Sequence, residues 1–152
     1  MFEIVGDGRY RKTLENRIST EGLEGYFNFT GQVDRSEIPG LLSRNHFGFV
    51  SLADEPIFIK TLPAKVQSYM TYGIPILASA NGEIPYILDK AGCGFASNAQ
   101  DGLALADLIE TLQGLSSEKL EELSQNGYNY SVEHFNQEIL TKQLLKIVKE
   151  GK

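Results

Sequence analysis

The sequence is poor in the residues on which several classes of protein depend. It has no tryptophan and a single cysteine, Cys93, so a framework of intrachain disulfides is excluded. No apolar run approaches the roughly 18 residues typical of a bilayer-spanning helix. The first residues do not show the basic and apolar pattern of a secretory leader. We therefore expect a cytoplasmic protein in which Cys93 is a buried, reduced thiol.

Basic residues are also scarce, with 14 lysines and arginines against 20 acidic residues and a net charge of −6. This balance argues against nucleic acid as a partner, because binding to a phosphate backbone needs a basic surface. The two histidines, His46 and His134, stand apart from any spacing typical of metal ligands. We expect neither a metal nor a cofactor.

Short apolar segments alternate with segments of helical periodicity, which predicts an α/β fold with a doubly wound parallel sheet. We expect one domain over residues 1–152, with the last helices, about 116–150, as a C-terminal helical extension. Asp34 or Ser36 is expected to cap the second helix, and Asn136 the last one. The predicted strands cover residues 2–5, 26–30, 47–52, 74–78 and 94–96, and the predicted helices residues 10–20, 36–44, 84–91, 100–114, 117–126 and 137–149.

The segment from Lys60 to Ser79 carries the strongest functional signal. It reads as a proline-bounded loop, a short helix, a Gly-Ile-Pro break and a buried strand. In a parallel sheet this order aims the start of the helix at the carboxyl edge of the strands. The first amides of a helix lack internal partners and the helix dipole favours an anion there, so the segment predicts a phosphate site.

Other phosphate-binding patterns fit poorly. Gly6 and Gly8 follow a strand, but Arg11 stands where a dinucleotide-binding fingerprint needs its third glycine. No Walker loop is present. Asp7 and Asp54 can be aligned with the acids of a response-regulator receiver, although no lysine follows the last strand.

Several motifs run in order along nearly the whole chain, at residues 4–8 with 14–15, 29–33, 38–42, 50–52, 69–78, 82–85 and 91–95. Together they resemble the C-terminal, nucleotide-sugar-binding half of family 4 glycosyltransferases of the GT-B fold. The variants at residues 62–65 and 81–83 are most similar to bacterial enzymes that build surface polysaccharides, including amino-sugar transferases.

The resemblance implies a retaining transfer of a sugar from a nucleoside diphosphate, which we expect to be UDP, to a polysaccharide or lipid-linked acceptor. Such a reaction would take place at the inner face of the cell membrane. The residues implied at the diphosphate are Leu62, Ala64, Lys65, Gly6 and Gly8, and those implied at the nucleobase and ribose are Gln32, Val33, Asp34 and Ser68.

Two departures from the family pattern concern the catalytic residues. Members usually carry two glutamates eight residues apart, and Lys60 and Ser68 occupy those positions here. Asp54, Glu55 and Glu83 are the acids that could substitute, and Glu83 is the best candidate because it follows an Asn-Gly turn after a strand.

The resemblance also implies that the family's first strand and helix, its Arg and Lys diphosphate clamp and its acceptor domain precede residue 1. The chain alone is then expected to be inactive, as an excised domain or a truncated product. It would expose an apolar face suited to self-association or peripheral membrane contact. A noncatalytic interaction domain derived from a transferase and a GT-B sugar-nucleotide epimerase are the alternatives.

Overall fold

The computed structural model describes residues 1–150 and is an α/β structure with parallel sheets. The chain divides into two compact units, residues 1–41 and the residues from Leu42 onwards. The strands are β1 (Phe2–Val5), β2 (Phe27–Gly31), β3 (Gly48–Ser51), β4 (Ile76–Ser79) and β5 (Gly94–Ser97). The helices are α1 (Arg11–Thr20), α2 (Ile38–Leu42), α3 (Pro56–Ile59), α4 (Ala64–Thr71), α5 (Glu83–Ala91), α6 (Gly102–Leu112), α7 (Ser117–His134) and α8 (Gln137–Glu150).

The first unit is built on the parallel pair β1 and β2, which α1 connects. Phe2 and Phe27 are register partners, and their rings stack with centroids 5.3 Å apart. At the carboxyl ends of the strands the Gly6 amide donates to the Gly31 carbonyl oxygen over 2.6 Å. This bond closes the sheet next to the two loops that leave it.

The second unit holds a three-stranded parallel sheet in the order β3-β4-β5. Helix α4 connects the first two strands and α5 the last two, and parallel strands need such crossovers. The core lies on the sheet face towards these helices. Its buried members are Val50, Val66, Met70, Ile76, Ala78, Ala80, Ile84, Ile87, Leu88 and Cys93.

Cys93 belongs to this core and is 1% exposed. Burial raises the pKa of its thiol to about 11, because the thiolate would lose its hydration. The prediction of a buried free thiol is confirmed.

Helix α7 is longer than predicted, because the Asn-Gly pair at 126–127 does not end it. Gly127 is buried, and a Cβ placed on it would lie 3.1 Å from the Cβ of Cys93. Asn126 donates from Nδ2 to the carbonyl oxygen of Gly92 over 3.0 Å. The pair that reads as a helix stop is therefore a packing site, where the missing side chain lets α7 approach the core.

Other boundaries also differ from the prediction. The second predicted helix is a 3-10 turn, Arg35–Glu37, followed by the short α2. Helix α3 was not predicted, and β4 begins two residues later than predicted. Pro75 explains the later start, since it has no amide to donate to the sheet.

The cap predicted for the last helix is confirmed, because Asn136 Oδ1 accepts from the amides of Glu138 and Ile139. Helix α8 leaves its large apolar side chains accessible, with Leu144 60% and Val148 70% exposed. No helix within residues 1–150 has both the length and the apolar character needed to cross a bilayer.

Candidate functional site: the carboxyl edge of the three-stranded sheet

The loops that follow β3, β4 and β5 meet at one edge of the sheet, because the strands are parallel. Helices α4, α5 and α6 each begin after one of these loops. In open α/β sheets this edge is where ligands bind.

Helix α4 begins at Ala64, and the start of the helix carries no side-chain cap. Pro63 is the N-cap residue, with ψ 143° and no hydrogen bond from its side chain. The amide of Val66 donates to the Pro63 carbonyl oxygen over 2.9 Å. The amides of Ala64 and Lys65 come before the Val66 amide, and the helix has no carbonyl oxygen one turn back that could accept from them. These two donors are available to an anion.

The other predicted residues of this segment support or border that helix start. Leu62 is half-buried and packs against the core, which fixes the loop. The Lys65 side chain is exposed. Ser68 lies one turn further along and is also exposed, and its hydroxyl donates to the carbonyl oxygen of Ala64 over 3.0 Å. Its oxygen can still accept a hydrogen bond from a ligand.

Gly6 and Gly8 lie in the first unit, at the carboxyl end of β1. Gly6 has φ 109°, a conformation that side chains disfavour, so glycine is required there. Asp7 closes the turn, since its Oδ1 accepts from the Gly8 amide over 2.8 Å. A Cβ added at Gly8 would meet no atom within 4 Å, so Gly8 leaves open space above the turn.

The loop predicted for the nucleobase begins beside this turn. Gly31, the last residue of β2, is bonded to Gly6, and Gln32 and Val33 follow it with exposed and half-buried side chains. Asp34 is engaged in its own turn as the predicted cap, where Oδ1 accepts from the Ser36 hydroxyl and amide. These two bonds hold the pKa of the Asp34 carboxyl below its usual value, the hydroxyl having the larger effect.

Arg11 was not predicted as a site residue, yet its guanidinium lies next to Gly31, the residue before this loop. A Cβ added at Gly31 would lie 3.4 Å from Arg11 Nη1, and the guanidinium carbon is 5.7 Å from the centroid of the Phe29 ring. Glu15 accepts from Arg11 Nε over 2.8 Å and orients the group. The sequence signal was the charged residue at the position where a dinucleotide fingerprint has glycine.

Asn81 was also missed, although it connects the loops after all three strands of the second unit. It follows β4, donates from Nδ2 to Asp54 Oδ1 over 2.9 Å, and accepts at Oδ1 from the Ala99 amide over 3.2 Å. Asp54 lies after β3 and Ala99 after β5. The Asn-Gly pair at 81–82 was the available signal, but its partners lie far away in sequence.

Glu83, the best candidate from the sequence to replace the family's glutamates, is the first residue of α5 and is half-buried. Gly82 precedes it with φ 80°, and a Cβ there would collide with the carbonyl oxygen of Ile59. The segment containing α3 is therefore held against the start of α5 by this contact and by the Asp54–Asn81 hydrogen bond. Glu83 stands on a fixed turn at the carboxyl edge.

Comparison with known proteins gives a family match over most of the chain. The family model "Glycosyl transferases group 1" matches residues 1–130. No curated protein matches the chain in sequence.

Solved structures share the fold. HepE from Anabaena in complex with UDP-glucose is 23% identical, with a TM-score of 0.78, over 97% of this chain and 40% of that one. Sucrose-phosphate synthase from Thermosynechococcus elongatus is 21% identical, with a TM-score of 0.78, over 97% of this chain and 37% of the synthase. The C-terminal domain of the group 1 glycosyl transferase LpcC from Francisella tularensis is 21% identical, with a TM-score of 0.65, over 84% of this chain and 63% of that one. The chain thus has the fold of a C-terminal Rossmann-like GT-B domain, and it spans about two fifths of the HepE and synthase chains.

Proposed function

This chain belongs to the group 1 glycosyl transferases, and we propose that it binds the nucleoside-diphosphate sugar donor of a family 4 glycosyltransferase. The donor is UDP-linked, and the transfer retains the configuration of the sugar and builds a polysaccharide or lipid-linked product on the cytoplasmic side. The observation that carries the proposal is the uncapped start of α4, with Lys65 in its first turn.

The chemistry of the reaction explains why such a helix start is useful. As the sugar leaves, the diphosphate gains negative charge, so groups that bind this charge more tightly in the transition state than in the intact donor accelerate the transfer. The Ala64 and Lys65 amides are oriented donors and cost no reorganisation. The ammonium group of Lys65 adds a cation next to them.

A uridine nucleotide is supported by the solved neighbours, since HepE was crystallised with UDP and with UDP-glucose. In this chain the loop from Gln32 to Asp34 would receive the base. The open Gly6–Gly8 turn beside it would let a phosphate approach the backbone. Ser68 would accept a hydrogen bond from a ribose hydroxyl.

Glu83 is proposed to contact the donor sugar in place of the glutamates that the chain lacks. This role is supported by the position of Glu83, which begins α5 on the turn fixed by the contact of Gly82 with Ile59, at the same edge of the sheet as the start of α4. A carboxylate there can accept from sugar hydroxyls through charge-assisted hydrogen bonds.

A noncatalytic nucleotide-binding domain is the second candidate. It is favoured by Lys60 and Ser68 at the two glutamate positions, and by the engagement of the Ser68 hydroxyl within its own helix. This candidate keeps the diphosphate site but gives Glu83 no contact with a sugar.

Calorimetric titration of the chain with UDP, GDP, UDP-glucose and UDP-N-acetylglucosamine tests the proposal. We expect UDP to bind more tightly than GDP, and Lys65→Ala to weaken binding of every UDP ligand about fivefold. Lys142→Ala on the exposed α8 is the matched control and should change nothing. No binding of UDP, or equal binding by wild type and Lys65→Ala, would contradict the diphosphate site.

The same titration separates the two candidates. If Glu83 contacts the sugar, Glu83→Gln weakens binding of the UDP-sugars but leaves UDP unchanged. If the domain is noncatalytic, Glu83→Gln changes neither.

A further inference from the structure

A concavity of about 410 Å³ opens at the carboxyl edge of the three-stranded sheet, next to the start of α6. That volume lies in the range of small-molecule sites. None of its lining residues belongs to the predicted diphosphate, nucleobase or sugar contacts. They are Ser51, Leu52, Ala53, Ser79, Gln100, Asp101 and Gly102.

A row of serines crosses the sheet at this concavity. Ser51 pairs in register with Ser79, and Ser79 with Ser97, so the three side chains point to the same face of the sheet. Ser51 and Ser79 line the concavity. The Ser79 hydroxyl donates to the Asn98 carbonyl oxygen over 3.2 Å, which leaves its oxygen able to accept.

Ser97, the third member of the row, is 8% exposed, and its hydroxyl has no hydrogen-bond partner within residues 1–150. A buried hydroxyl without a partner costs free energy, and native proteins rarely keep one without a reason. Ser97 lies behind the lining of the concavity, beside Ser79, so the row contains hydrogen-bonding capacity that the described residues do not use.

The opposite wall of the concavity is the start of α6. Asp101 caps this helix, since its Oδ1 accepts from the Ala104 amide over 2.9 Å. Gln100 precedes it in a left-handed conformation, with φ 60°. The Gln100 side chain is exposed and its amide can both donate and accept.

The chemistry of these groups selects the ligand. Hydroxyls, an amide and a carboxylate match a compound whose own hydroxyls both donate and accept, and Leu52 and Ala53 offer apolar contact to C–H groups. The Asp101 carboxylate repels an anion, which excludes a phosphate or diphosphate. We propose that this concavity is a binding site for a neutral glycosyl residue.

This site goes beyond the proposed function, because it uses neither the start of α4 nor the first unit. A glycosyl residue bound here would be part of a saccharide other than the nucleotide-linked sugar.

Nuclear magnetic resonance titration of the ¹⁵N-labelled chain tests the proposal, with methyl α-glucoside as the neutral probe and glucose 6-phosphate as the anionic one. We expect the glucoside to shift the amide signals of Ser79, Asp101 and Gly102 with an affinity in the millimolar range. Glucose 6-phosphate should bind several-fold more weakly. UDP should not shift these signals, so a failure of the glycosyl-site proposal can be distinguished from a failure of the proposed donor site.

Two variants keep the fold while they change the site. Gln100→Gly suits the left-handed backbone and removes the side chain. Asp101→Asn retains a good helix cap and removes the charge. We expect Gln100→Gly to weaken binding of the glucoside several-fold. In Asp101→Asn, glucose 6-phosphate should bind with the same affinity as the glucoside.

Three results would overturn the proposal. The first is the absence of shifts at the lining residues. The second is unchanged glucoside binding in both Gln100→Gly and Ser51→Ala, which removes an exposed hydroxyl of the concavity. The third is tighter binding of glucose 6-phosphate than of the glucoside by the wild type.

Discussion

Three helices begin at the carboxyl edge of the same sheet, and they differ in what stands at their first turn. Helix α4 has neither a side-chain cap nor an acid there, and it carries Lys65. Helix α5 begins with the acid Glu83 after Gly82. Helix α6 is capped by Asp101. The helix dipole is the same at each start, so the local side chains decide which start accepts an anion.

The side chains at the three helix starts differ in how they would receive an anion. The Asp101 carboxylate satisfies an amide of α6 from within the protein, whereas α5 has no side-chain cap. The Glu83 and Asp101 carboxylates both repel a phosphate. The start of α4 has neither a cap nor an acid, so its first amides are available to the proposed diphosphate.

The largest effect is expected where α5 begins. Gly82→Ala introduces a Cβ that strains the left-handed backbone and collides with the Ile59 carbonyl oxygen, so the free energy of unfolding should fall by at least about 2 kcal/mol. Urea denaturation measures this loss. Gly102→Ala at the start of α6 is the control, because nothing lies within 4 Å of its added Cβ. If both variants lose the same stability, the contact between the α3 segment and Gly82 is unimportant.

Reversing the charge at α4 should have the next largest effect. Lys65→Glu gives α4 an acid in its first turn, as α5 has, and should weaken UDP about tenfold or more through the lost cation and the new repulsion. Calorimetry measures the affinity, and Lys142→Glu serves as the charge-matched control. An equal loss in both variants would mean that only the net charge matters.

Giving α4 the cap of α6 should have a smaller effect. Pro63→Asp places a carboxylate at the N-cap, which satisfies an amide and repels phosphate, so UDP should bind about fivefold more weakly. Stability should change little, because the cap gained offsets the loss of proline rigidity, each worth about 1 kcal/mol or less. Pro63→Ser caps without a charge and should lose less affinity than Pro63→Asp. The reverse order would contradict the electrostatic explanation.

The smallest effect concerns the cap of α6 itself. Asp101→Ala removes the acceptor for the Ala104 amide and should cost about 1 kcal/mol, or roughly 3 °C in Tm. Asp101→Asn retains an acceptor and should stay within a few tenths of a kcal/mol of the wild type. Thermal unfolding of both variants measures the difference. Equal losses would show that the charge, and not the hydrogen bond, stabilises the helix.

Much of the fold could be predicted from the sequence because its strands are short apolar runs and its helices have local signals. Pro63 marked the start of α4, and Asp34 and Asn136 marked two others. The length of α7 could not be predicted, because Gly127 serves packing against Cys93, a contact made across 34 residues of chain.

The parts of the site that escaped prediction depend on contacts that are distant in sequence. Asn81 bonds to Asp54 and Ala99, 27 and 18 residues away, and neither partner follows from a local pattern. Arg11 reaches Gly31 only because β1 and β2 pair in parallel. The start of α4 was predictable because a helix N-terminus is a local property, whereas its surroundings are not.

The most direct measurement is an amide-resolved titration of the ¹⁵N-labelled chain with UDP. If α4 holds the diphosphate, the signals of Ala64 and Lys65 move most among the three helix starts, while those of Glu83 and Gly102 move little. If the largest shifts fall at the start of α5 or α6, or if the α4 signals do not move at all, the central claim is wrong.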